Sequence, residues 1–189
     1  MDFLAYAKAL PVIEKLGVEA DEQDGMVQFT IVDDRSCTLN IGANPPDPDQ
    51  ADRTLEADAD KLPRMCDEVF HALNITEVAL VPRTSWKEVL NLTAFDLATV
   101  ERWLDIDAEA SLHQNSRDPL FVSRDEHETL ETMVRSLLTN AEKPDQSISV
   151  LASGGTALVV DVLPPDRLYV QCVGKGVADR IMEYLRKVK

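Results

Sequence analysis

The chain has 189 residues, 44% of them apolar, with 34 acidic side chains against 19 basic ones and a formal net charge of −15. That length suits one domain or two small ones, and a surface that negative repels nucleic acid and anionic membranes. Cys37, Cys66 and Cys172 lie far apart in apolar patterns with no Cys-x-x-Cys among them, which argues against a disulfide framework and excludes that metal or redox motif.

The opening MDFLAYAKALPVIEKLG carries charges throughout and lacks the basic start of a secretory signal. A helix is expected from Asp2 as N-cap, burying Phe3, Leu4, Ala7 and Leu10, with Pro11 inside it and Gly17 at its end. Val27, Phe29 and Ile31 then alternate with polar residues, as do Cys37, Leu39 and Ile41 after a turn at DDRS; the pair reads as a hairpin with one buried face. The prolines and acids of residues 43–60 predict a loop. Leu62, Met65, Cys66, Val69, Phe70 and Leu73 share one side of a helix over residues 61–73, and TEVALV is a short strand. Ser85 and Glu88 form a capping box for one helix, and Thr93 is expected to cap a second that presents Leu97, Val100, Trp103 and Leu104. Residues 105–123 are irregular in pattern and end in an extended PLFV.

Ser123 and Glu126 make another capping box, before the helix with the cleanest stripe in the chain: Leu130, Met133, Val134, Leu137 and Leu138. SISVLAS, TALVVDV and RLYVQCV follow as a three-stranded meander, joined by Gly154-Gly155 and by Pro164-Pro165-Asp166. A final helix buries Val177, Ile181, Tyr184, Leu185 and Val188. Short turns between neighbouring strands make them antiparallel. The expected class is therefore α+β: antiparallel sheet hairpins, including the C-terminal three-stranded meander, packed with amphipathic helices. The expected organisation is a single α+β domain over 1–189 with an acidic Pro-rich loop at 43–60; the alternative is two subdomains, 1–120 and 121–189.

Each motif with chemical content has a plainer reading beside it. Gly174-Lys175-Gly176, between a strand and a helix, marks an anion site only in outline. The dinucleotide fingerprint needs a third glycine where Asp179 stands, and a P-loop needs a longer glycine loop with Ser or Thr after the lysine. Glu68 and His71 form one Glu-x-x-His, of which a di-iron bundle needs two, and they are expected to face solvent. Ser123, Asp125 and His127 are triad residue types, but adjacent ones that a helix cap explains. Asp47, Asp49 and Asp52 lack the glycine and distal glutamate of a calcium loop. Trp86 and Trp103 are expected as core or interface anchors, since nucleic-acid stacking platforms pair aromatics with basic residues.

The polar stretch around His113, with Asp107, Glu109, Asn115 and Arg117, is the best place for a pocket. The candidate residues are therefore His113, Arg117, Asn115 and Asp107 for a polar pocket, and Gly174, Lys175 and Gly176 for an anion. No catalytic or metal-ligating set emerges, and no cofactor is expected. The leading functional expectation is a non-enzymatic cytoplasmic protein acting through its surface, as an adaptor, chaperone-like or regulatory module. Its expected partner is a protein, basic in character, or a second copy of the chain; nucleic acid and membrane are not expected. The alternatives are a small-molecule binder or enzyme using 105–123, and an acidic mimic of nucleic acid that binds a basic protein. All of this presumes ionisable side chains dispersed over helix exteriors and caps.

Overall fold

Alternation of apolar and polar residues along short strands builds the sheet of this α+β fold, and both of its faces carry apolar positions that need cover. The computed structural model describes residues 1–43 and 51–188. In chain order the elements are β1 (Asp2–Phe3), α1 (Tyr6–Lys15), β2 (Val18–Gln23), β3 (Met26–Ile31), β4 (Ser36–Gly42), β5 (Arg53–Glu56), α2 (Leu62–His71) and β6 (Glu77–Pro82). They continue with α3 (Trp86–Leu97), α4 (Glu101–Leu104), α5 (Asp107–His113), β7 (Leu120–Ser123), α6 (His127–Asn140), β8 (Ile148–Ala152), β9 (Leu158–Leu163), β10 (Arg167–Val173) and α7 (Lys175–Leu185). Eight strands form one sheet in the order β1-β7-β6-β8-β9-β10-β4-β5, and β2-β3 is a separate hairpin. Within the eight-stranded sheet β4 and β5 pair in parallel, while β8, β9 and β10 form the expected antiparallel meander.

Leu80, Val150, Val160, Val170 and Leu39 point to one face and pack against α2, α3, α6 and α7. On the other face Val81, Leu151 and Val159 are covered by Ala9 and Ile13 of α1 and by Val27, Phe29 and Ile31 of β3. Each fully buried side chain of this size contributes about 1.5–3 kcal/mol. The α6 stripe of Leu130, Met133, Val134, Leu137 and Leu138 is buried as its spacing predicts.

Three expectations about elements are corrected. Asp2 does not cap a helix: Asp2 and Phe3 pair with Phe121 and Leu120, and α1 begins at Tyr6. Phe3 decides this by packing edge-on against Trp86 (5.6 Å, 86°) and stacking on His113 (4.3 Å, 8°). The strand 27–31 does not pair with 37–41. It pairs with β2 through a turn at Asp24 (φ 53°) and Gly25 (φ 79°), an Asp-Gly signature of the primed hairpin turn. β4 instead joins β10, which frees its apolar side for the helix layer. Thr93 caps nothing; it lies buried inside α3 and donates its hydroxyl back to the Val89 carbonyl at 3.0 Å.

Within the stretch read as an acidic loop, Arg53–Glu56 form β5. Thr38 and Asp52 hold its start, the Asp52 carboxylate accepting from the Thr38 N–H at 2.9 Å. Asp47 and Asp49 lie outside the described residues. All three cysteines are free and buried, and burial pushes the Cys172 thiol up to about 12. Among the described residues no helix is long and apolar enough to cross a membrane.

Candidate functional site

The stretch 105–123 supplies α5, β7 and a connecting turn, and its polar side chains bind other parts of the chain. His113 Nδ1 lies 2.8 Å from the Asp118 carboxylate, under the ring of Phe3. Asp118 also accepts from the Tyr6 N–H at 2.8 Å, and its carbonyl accepts from Trp86 Nε1 at 2.7 Å. Burial pushes the Asp118 carboxyl up, but the Tyr6, His113 and Ser116 hydrogen bonds outweigh it and hold it below the usual value. Arg117 reaches the opposite way. It donates to the Thr84 carbonyl (2.9 Å), the Glu22 carboxylate (2.6 Å) and the Gly25 carbonyl (2.6 Å), clamping the tip of the β2-β3 hairpin. Asp107 accepts from Trp103 Nε1 at 3.2 Å, and Asn115 is exposed. Of the four residues named from sequence, His113, Arg117 and Asp107 thus meet different partners, and Asn115 faces outward.

Gly174 enters α7 with φ 93°, a left-handed conformation that suits glycine, and its N–H donates to the Arg35 carbonyl at 2.8 Å. Lys175 and Gly176 are exposed in the first turn of α7.

Ionisable side chains from remote stretches do gather, in a cleft of about 750 Å³ between α2 and the start of α6. Arg64, Asp67, Glu68 and His71 line it from α2; Arg124, Asp125, His127 and Glu131 line it from the other side. This overturns the expected dispersal, and Glu68 and His71 are half-buried instead of facing solvent. The physical reason is packing: α2 and α6 lie against each other, so a residue one step off the apolar stripe of α2 faces α6. His71 sits between two carboxylates, with Nδ1 3.2 Å from Glu68 Oε2 and Nε2 3.5 Å from Asp67 Oδ2. Arg64 Nε stands 3.6 Å from Glu68 Oε1. Asp67 is only 8% exposed. Burial raises its carboxyl above the usual range; His71 and His127 pull it down, while Glu131 and Glu68 push it further up.

A second polar cluster lies on the sheet face under the β2-β3 hairpin. Asp161 on β9 accepts from Ser149 Oγ at 2.5 Å and has Arg83 Nη2 at 3.5 Å. Gln171 on β10 donates to the Phe29 carbonyl (2.8 Å) and accepts from the Ile31 N–H (3.3 Å), fastening β3 to the sheet. The Arg83 carbonyl accepts from the Val27 N–H at 2.8 Å. Burial raises the Asp161 carboxyl, partly offset by Arg83, Ser149 and Gln171.

On the outside, Phe95 is 88% exposed and Leu112 84%, with Leu104 at 58%. They lie on the successive helices α3, α5 and α4. The chain matches no family model, no curated protein and no solved structure.

The signal that could have located the α2–α6 cleft is a mirrored spacing: Asp67-x-x-x-His71 on one helix and His127-x-x-x-Glu131 on the other. Residues four apart share a helix face.

Proposed function

We propose that the protein is a non-enzymatic, acidic interaction module, an adaptor or regulator, that docks a partner on α3, α4 and α5. One observation carries the reading: Phe95 and Leu112 stand almost fully in solvent on helices whose other faces bury Trp86, Val89, Leu97 and Ala110. Large apolar side chains on consecutive surface helices mark sites of association. Glu88, Asp96, Glu101, Asp105, Asp107 and Glu109 share these helices and their links with only Lys87 and Arg102 as bases. A fitting partner offers an apolar centre among lysines and arginines, and its encounter weakens with salt. His113 and Arg117, which would serve a pocket, are engaged in holding Phe3 and the hairpin tip, which favours a surface role over a small-molecule one for that stretch.

The test is the double variant Phe95→Ser, Leu112→Ser. Both positions are exposed, so its melting curve should overlay the parent's, within about 0.5 kcal/mol per site. The parent should bind a basic amphipathic helical peptide, or self-associate in sedimentation runs over a concentration series, and the variant should do neither. Equal behaviour of parent and variant would overturn the reading. Binding that depends on the acids and not on Phe95 would favour the nucleic-acid mimic.

A further inference from the structure

We propose, resting on the reading of α3–α5 as a docking face, that its partner is a second copy of this chain, which presents α7 and the residues just after it. In a chain of formal net charge −15, residues 175–188 carry Lys175, Arg180, Arg186 and Lys187 against Asp179 and Glu183. Both of those acids are already engaged: Asp179 accepts from Arg53 Nε at 3.2 Å, and Glu183 from Lys187 Nζ at 3.1 Å. Arg180 and Arg186 are exposed, and their side chains make no hydrogen bond or ion pair among the described residues. Tyr184, 39% exposed, stands four residues after Arg180 and three before Lys187, so the three share a helix face.

This surface offers what the α3–α5 face asks for, an apolar centre among lysines and arginines. Tyrosine and arginine are also the residue types in which binding energy concentrates. Opposite them in the contact stand Phe95, Leu104 and Leu112 with the exposed acids Glu101, Asp105 and Glu109. The other cationic helix, α1, exposes Lys8, Val12 and Lys15, but Glu14 on the same helix and the exposed Glu19 and Asp21 on β2, which packs on α1, offset that charge.

The packing of α3 on α6, of α6 on α2 and of α2 on α7 orders the helix layer and puts the two surfaces at its opposite ends. Two copies therefore meet through different patches. The contact is head-to-tail, a pair keeps one free surface of each kind, and association continues past two copies. In ~0.15 M salt the Debye length of about 8 Å screens the repulsion between the net charges, while charges in contact still attract.

Sedimentation velocity over a concentration series in that salt tests the proposal. The parent's average mass should rise past that of two copies. Arg180→Glu, Arg186→Glu removes one surface and Phe95→Ser, Leu112→Ser the other; each double variant alone should need more than about tenfold higher concentration for half-association. All of these positions are exposed, so both variants should melt as the parent does. Mixed one to one, the two variants should form a dimer and stop there, since one intact surface of each kind is left. A parent that stays a monomer, or stops at two copies, overturns the proposal. If that parent still binds the basic helical peptide, the α3–α5 face survives as a docking surface for another protein. Association of the arginine variant at the parent's concentrations, or a one-to-one mixture that stays monomeric, equally overturns it.

Discussion

Two buried carboxylates, Asp161 under the hairpin and Asp67 between α2 and α6, share a raised pKa and differ in company. Asp161 has a serine hydroxyl at 2.5 Å and a guanidinium at 3.5 Å, in a cluster whose Gln171 pins β3 to the sheet. Its charge is compensated and its neighbours hold the fold. Asp67 has an imidazole at 3.5 Å and a second carboxylate, Glu131, facing it. Its charge is favoured by His71 and His127 but opposed by burial, Glu131 and Glu68, and burial prevails. Equal burial with unequal satisfaction separates the two polar clusters.

The comparison breaks most readily at the compensated end. Arg83→Met removes the cation beside Asp161 and leaves a buried charge alone; the expected loss is about 3–5 kcal/mol in urea unfolding. A loss below about 1 kcal/mol would mean that Asp161 is carried neutral and that the ion pair is incidental. At the opposed end the sign reverses. Asp67→Asn removes the charge that burial and Glu131 disfavour, and the variant should be more stable at neutral pH by on the order of 1 kcal/mol. The folded pKa of Asp67 lies above its ordinary 3.8. The stability it contributes is therefore present below that value and lost as pH rises through the folded pKa. The gain from Asn should be full at neutral pH and should fade as the buffer approaches pH 3.8. Melting curves of both proteins across that range check it. The smallest effect on stability belongs to Phe95→Ser, which touches neither cluster.

Much of the architecture is legible in sequence because local periodicity reports which side of an element is apolar. The α6 stripe and the β8-β9-β10 meander follow from it directly. Other features are set by partners that periodicity does not name. β1 is two residues long and exists because Phe3 finds Trp86 and His113. β4 has the alternation of a hairpin strand and still leaves β3 for β10. The hairpin that does form carries its signal in Asp24-Gly25, whereas the turn at DDRS leads from β3 to a strand it does not pair with. The cleft was hidden for the same reason. Asp67 and His71 are four apart, as are His127 and Glu131, but only the packing of α2 on α6 makes the four residues one group. The polar stretch at 105–123 drew attention through its composition, whereas its side chains serve internal contacts.

The most direct measurement is a paired thermal melt of Asp67→Asn and Asp161→Asn against the parent, at neutral pH. Opposite signs are expected: Asp161→Asn melts lower because Arg83 loses its counter-charge, and Asp67→Asn melts higher. If both variants melt lower by similar amounts, Asp67 is as structural as Asp161, and the contrast between the two carboxylates fails.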